Sequence, residues 1–214
     1  QGAADMGCQP HQGAGYFPVA DEKIQNFYTE KYGVVHPTKA GLKIPEIFDA
    51  AINKEIKAVW IIGEDVVQTD PNSAHVAKAM NSLDLLVIQE IFMSETAKHA
   101  DVILPGTTFL EKDGTFTNTE RRVQRVNKAV EPLPGTKPDG VIVTDMMQKL
   151  GYNQPTYDAD QVLAEIADVV PFFKGITRER LGKLGLQWPV KEDGTDTKIL
   201  HQKEFKLGKG RLKY

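Results

Sequence analysis

The sequence predicts an α/β fold: an open parallel sheet with helices on both faces, half of a doubly wound domain, followed by a mixed extended and helical segment from a second domain. Three observations predict it. In Lys57-Ala-Val-Trp-Ile-Ile-Gly63 a continuous apolar run ends at a glycine, and Leu85-Leu-Val-Ile88 repeats the pattern, as expected of strands buried in a parallel sheet. Between them Val76, Ala77, Met80 and Leu83 recur at helical spacing behind Pro71 and Asn72 or Ser73, which can open a helix. Each strand then runs into side-chain acceptors: Glu64, Asp65, Gln68, Thr69 and Asp70 after the first, Gln89 and Glu90 after the second.

The other elements follow in order. Residues 1–20, rich in glycine and interrupted by Pro10 and Pro18, read as a loop over the wall of a site, poorly ordered by itself. Asp21 caps a helix through Glu30, with Ile24, Phe27, Tyr28 and Lys31 at helical spacing and Gly33 as the stop. A second helix starts at Ile44, where Pro45 costs little in the first turn, and its stripe of Ile44, Ile47, Phe48, Ala51 and Ile52 should pack on the sheet. After Glu90 come a short helix from Glu95 to Ala100 and a third strand in Asp101-Val-Ile-Leu-Pro105. The β-α unit thus repeats, and right-handed crossovers give residues 21–106 one parallel sheet. Residues 107–214 change texture. Short extended pieces reach Val130, and the proline-rich Glu131–Pro138 connects to a helix capped by Asp139 and ended by Gly151. Asp158 caps another helix, from Ala159 to Val169, and Thr177 a last one through Leu184. A polar tail from Trp188 closes in the basic Lys209-Gly-Arg-Leu-Lys213.

The 214 residues hold 26 basic and 29 acidic side chains, a net charge of -3, which fits neither a dedicated nucleic-acid binder nor a polybasic membrane surface. No apolar run approaches the roughly 20 residues of a membrane-spanning helix. One cysteine, Cys8, excludes a disulfide framework or a thiolate metal site within the chain and fits a reducing, cytoplasmic compartment. His11, His36, His75, His99 and His201 lack metal-ligand spacing, no GxGxxG turn follows a strand, and no Ser-His-Asp order or acid-base carboxylate pair emerges. The chain opens at Gln1 rather than methionine and reads as an internal fragment of a longer protein.

Ligands of open parallel sheets bind beyond the carboxyl ends of the strands. Neighbouring strand ends there are expected to aim Asp65 and Glu90 into one notch. An ionised carboxylate, like that of Glu64 or Asp65, accepts the two adjacent N–H donors on the Watson–Crick edge of guanine, a pair that adenine and the pyrimidines lack. Gln68, Thr69, Gln89 and Glu90 suit ribose hydroxyls, and the helix start near Ser73 suits phosphate. The same acids also suit an ordinary solvated loop, because acids favour helix N-termini. Lys112, Arg121, Arg122, Arg125 and Lys128 suit a channel for an anion or, equally, a surface paired with Glu111, Glu120 and Glu131. The residues alone reach a parallel-sheet ligand-binding module and no further.

Four segments carry a resemblance: Gln1-Gly-Ala-Ala-Asp-Met-Gly7, Ile62-Gly-Glu-Asp-Val-Val-Gln-Thr-Asp70, Gln89-Glu-Ile-Phe-Met-Ser-Glu-Thr-Ala97 with Ala100-Asp-Val-Ile-Leu-Pro105, and Glu111-Lys-Asp-Gly-Thr-Phe-Thr-Asn-Thr-Glu-Arg-Arg122. Together they resemble the catalytic subunits of bis-molybdopterin-guanine-dinucleotide oxidoreductases and, within them, formate dehydrogenases. The resemblance implies a parent enzyme that oxidises formate to CO2 at molybdenum or tungsten and passes two electrons through a 4Fe-4S cluster to iron-sulfur or diaphorase subunits. It implies cofactor contacts at Gly63, Glu64, Asp65, Thr69, Gln89, Glu90, Lys112 and Asp139, the last two on the resemblance alone. Catalytic residues and metal ligands are expected outside this chain, which alone should be inactive. One departure is Gly140, where the family usually has an aromatic residue after the aspartate. A nitrate reductase of the same superfamily, or a non-catalytic nucleotide-binding module resembling the central domain of thiamine-diphosphate enzymes, are the alternatives.

Overall fold

The computed structural model describes residues 1–202 and 205, so the basic end, 209–213, lies outside the described residues. The first twenty residues are more than a loop. They form a helical turn, α1 (Gly2–Asp5), and a small hairpin, β1 (Gln12–Gly13) with β2 (Phe17–Pro18). Tyr28 steadies the hairpin by donating its hydroxyl to the Ala14 carbonyl at 2.9 Å. That residue belongs to α2 (Glu22–Tyr32), which Asp21 caps by accepting the Lys23 N–H and Gly33 ends. The apolar stripe behind Pro45 forms α3 (Ile44–Ile52).

The β-α alternation follows as β3 (Ala58–Ile62), α4 (Val66–Thr69), α5 (Ser73–Met80), β4 (Leu85–Glu90), a 3-10 turn at Thr96–His99 and β5 (Val102–Pro105). Asn72 caps α5 by accepting the His75 N–H. The single turn of α4 folds the acidic stretch that the sequence presents as an open loop. All three strands run parallel in the order β3-β4-β5, with Ile62 beside Gln89 and Glu90 beside Pro105, so their carboxyl ends stand side by side.

Beyond them β6 (Gly114–Thr117) and β7 (Arg122–Val126) make a hairpin, followed by α6 (Asp139–Lys149), α7 (Ala159–Val169), α8 (Arg178–Leu181) and β8 (Leu186–Gln187), which pairs with β7. Two expectations are corrected here. The last helix stops at Leu181 rather than Leu184, because Gly182 turns out of it and the Gly185 N–H returns to the Leu181 carbonyl at 2.8 Å. Asp139 is the first residue of α6 rather than its cap, and its side chain is turned elsewhere.

Two apolar clusters hold these elements. Side chains alternate across a strand, so Leu86 and Ile88 of β4, with Val59, Ile61 and Ile103, face Phe48 and Ala51 of α3 and Val76, Ala79 and Met80 of α5. The other sheet face meets α6 near its carboxyl end, where Ile142 and Met146 share a groove with Leu104 and Pro105. β3 itself is an edge strand with Ala58 and Ile62 exposed, not a strand buried on both faces. The second cluster joins Val123, Leu163, Val169, Val170, Phe173, Ile176, Leu181 and Val190, and Tyr28 packs into it. α2, grouped with the sheet by its place in the sequence, thus lends its buried face to the other cluster.

Candidate functional site

Gly63 takes a left-handed φ of 65° directly after β3, a conformation that favours glycine, and its N–H donates to the Gln89 carbonyl at 2.9 Å. The turn of α4 then brings Thr69 back so that its hydroxyl donates to Glu64 Oε1 at 2.6 Å. Glu90 accepts the Ile91 N–H on Oε1 at 2.7 Å. Among the described residues nothing donates to the second oxygen of Glu64 or of Glu90, so the carboxylates left open at the strand ends belong to those two residues.

Asp65 is not the open acceptor that the sequence suggests. Its Oδ1 accepts the Thr96 N–H at 2.9 Å and the Thr96 hydroxyl at 2.6 Å, while Oδ2 accepts the Glu95 N–H at 3.1 Å. Burial pushes its pKa up, but the bonds from Thr96, Glu95 and Gln68 outweigh that and hold it below the usual carboxylate range. Asp65 therefore braces the loop leaving β3 against the loop leaving β4.

Gln89 is 1% exposed, and its Nε2 donates to Asp139 Oδ1 at 2.7 Å while its Oε1 has no partner. Asp139 also pairs with Lys112, whose ammonium donates to the Thr107 carbonyl at 3.0 Å. The Thr107 hydroxyl is buried and equally without a partner. Burial raises the Asp139 pKa, yet the Lys112 and Gln89 bonds and the lysine charge prevail and lower it. Gly106 makes room for this arrangement, since a Cβ there would stand 3.2 Å from Asp139 Oδ1. Lys112 and Asp139, which spacing alone did not connect to the sheet, are thus fastened to the end of β4. They also border a cavity of about 490 Å³, with Gly2, Ala3 and Met6 on another wall; Glu64 and Glu90 lie outside its lining.

The other basic residues do not line a common channel. Arg121 is spent on the carbonyls of Trp188, Thr197 and Lys198, Arg122 pairs with Glu120, and Lys128 with Glu131. Two residues that the sequence did not single out border the site: Thr107, and Tyr157, whose ring lies against the bare Cα of Gly140. Their positions depend on contacts remote in sequence, which no local pattern marks. Burial, then the charges of Asp139 and Asp158, raise the Tyr157 pKa. Among the described residues no group of three His, Cys, Asp or Glu side chains is placed to hold a metal ion, and no helix is long and apolar enough to cross a membrane.

Buried Gln89 and Thr107 atoms lacking partners, a fixed ammonium beside them and two open carboxylates at the strand ends suit a large polar cofactor, since a buried polar atom without a partner is costly in an empty interior.

The sequence profile of the molybdopterin oxidoreductase family matches residues 4–149, more than half of the chain. The alpha subunit of an F420-dependent formate dehydrogenase from Methanocaldococcus jannaschii is 44% identical over 216 residues, covering 100% of this chain and 32% of the relative. A protein described as a probable oxidoreductase in Bacillus subtilis is 40% identical over 212 residues, covering 99% of this chain and 22% of the relative. The chain therefore spans about a fifth to a third of the length of such relatives. Among solved structures, acetylene hydratase from Pelobacter acetylenicus shares the fold with a TM-score of 0.55 at 22% identity, over 67% of this chain and 20% of that one.

Proposed function

We propose, for a chain that belongs to the molybdopterin oxidoreductase family, that its strand-end loops hold the guanosine arm of a molybdopterin guanine dinucleotide within a longer formate dehydrogenase catalytic subunit. The observation that carries this reading is the chain of contacts from Gln89 through Asp139 to Lys112, which fixes a cation and a buried, unpartnered acceptor at the carboxyl end of β4. Glu64 accepts the paired N–H donors of guanine, held in its orientation by Thr69. Gly63 sets the turn that presents it, and Asp65 keeps that loop in register with the next. Glu90 and the Gln89 carboxamide oxygen accept from ribose or pterin donors, and Lys112 with Asp139 meets the polar edge of the cofactor.

When bound, the cofactor supplies the molybdenum or tungsten centre at which formate yields CO2, a proton and two electrons. In this reading the catalytic residues and the 4Fe-4S ligands belong to other parts of a cytoplasmic parent enzyme, and iron-sulfur or diaphorase subunits take the electrons. The names of the formate dehydrogenase relatives support formate over nitrate as substrate. The family match leaves the thiamine-diphosphate alternative without support.

The test is nucleotide competition on the full-length protein stripped of cofactor. GDP is expected to bind more tightly than ADP, and Glu64→Gln to remove that preference. Equal affinities, or tighter ADP, would sink the guanosine assignment.

A further inference from the structure

Asp5 is 0% exposed, and the proposed cofactor site makes no direct use of it. Three neutral donors grip its carboxylate: Gln1 Nε2 and the Tyr16 hydroxyl reach Oδ1 at 2.7 Å each, and the Trp188 indole N–H reaches Oδ2 at 2.8 Å. Burial and this bond to Asp5 push the Tyr16 pKa up to about 12, so the hydroxyl stays a donor. Trp188 is itself clamped. Its backbone N–H donates to the Arg121 carbonyl at 3.0 Å, the Arg121 guanidinium lies 5.4 Å from the ring centroid and donates back to the Trp188 carbonyl, and Phe172 packs 4.5 Å away.

Burying a carboxylate among neutral donors is a poor route to stability, because the desolvation cost consumes much of the hydrogen-bond gain. What the arrangement does secure is position. Asp5 ends α1, and the Cα of Gly2 at the start of α1 faces Thr117 at the end of β6. Gly2, Ala3 and Met6 form a wall of the 490 Å³ cavity that Lys112 and Asp139 also line. We infer that Asp5 is a positioning residue of the cofactor site: through Trp188 and Tyr16 it locks α1 in place and thereby sets the width of the cavity at Lys112. The inference rests on the cofactor reading above.

The test uses the full-length, cofactor-loaded enzyme and its Asp5→Asn, Trp188→Phe, Lys112→Met and Val169→Ala variants. Pterin fluorescence and metal content per subunit measure retained cofactor, and the rate of cofactor loss is followed well below the unfolding temperature. Trp188→Phe should release cofactor roughly 3- to 10-fold faster, the factor that an ordinary intramolecular hydrogen bond carries. Asp5→Asn should release it faster still, and the double variant no faster than Asp5→Asn alone. Val169 belongs to the second apolar cluster but is not itself part of the cavity lining, so Val169→Ala is expected to lower Tm without changing release. If Asp5→Asn fails to fold, Trp188→Phe still decides. Release that follows Tm alone, with Trp188→Phe and Val169→Ala alike, overturns the inference. Faster release from Lys112→Met with wild-type release from the other two overturns it while sparing the cofactor reading; no change in any variant removes that reading as well.

Discussion

Lys112 and Asp139 show how much of the site depends on pairs rather than single side chains. Lys112→Met leaves Asp139 with Gln89 as its remaining side-chain donor; because the aspartate is partly exposed, the stability cost should be only about 1 kcal/mol. The pH dependence is more telling. The folded-state pKa of Asp139 is depressed, so its contribution is present above the unfolded carboxylate value of about 4 and is lost as pH falls through the folded value. In Lys112→Met the folded value moves up toward the unfolded one, so the loss should be smaller and complete at higher pH, which urea unfolding at successive pH values from neutral downward will show; unchanged curves would mean that the pair contributes nothing. The sequence marked Asp65 as an acceptor, but it did not mark the donors, which arrive 30 and 31 residues later on a loop with no pattern of its own. Acceptor chemistry is readable from a residue's type; whether the acceptor is already occupied is a matter of tertiary contact.

Among the elements, those with local causes were readable. The apolar runs gave β3, β4 and β5, and Asp21, Asn72 and Asp158 cap their helices by the N–H bonds that their residue types favour. α1 and its hairpin were not readable, because Asp5 is held by Trp188, 183 residues away, rather than by any periodicity. The start of α6 is the sharpest case. A Cβ on Gly140 would stand 2.1 Å from the Tyr157 ring, so Tyr157 occupies space beside α6 that a side chain at position 140 would need, and the glycine is required by its neighbour. Gly140→Ala should cost about 2 kcal/mol through overpacking. Tyr157→Ala in the same chain should recover part of that loss in a double-mutant cycle followed by thermal unfolding. Strict additivity of the two changes would refute the steric account.

The molecule as a whole rests on two apolar clusters that share no residue. Leu86, fully buried at the centre of the sheet, should cost about 3 kcal/mol when cut to alanine. In hydrogen exchange the amides of β3–β5 should then exchange faster, while those of α7 in the second cluster keep their protection. Uniform acceleration across both clusters would show a single cooperative unit instead.

Among the described residues β3 bonds to β4 alone, and its length from Ala58 to Ile62 carries no charge, no proline and no bulge. An apolar outer rim of this kind is a template on which another backbone can zip, and copies of this chain should stick together there. Replacing the half-exposed Ile62 by lysine should raise the concentration at which light scattering first reports aggregates. The handling of this segment in the test tube is then governed less by its cofactor loops than by five residues of unguarded strand.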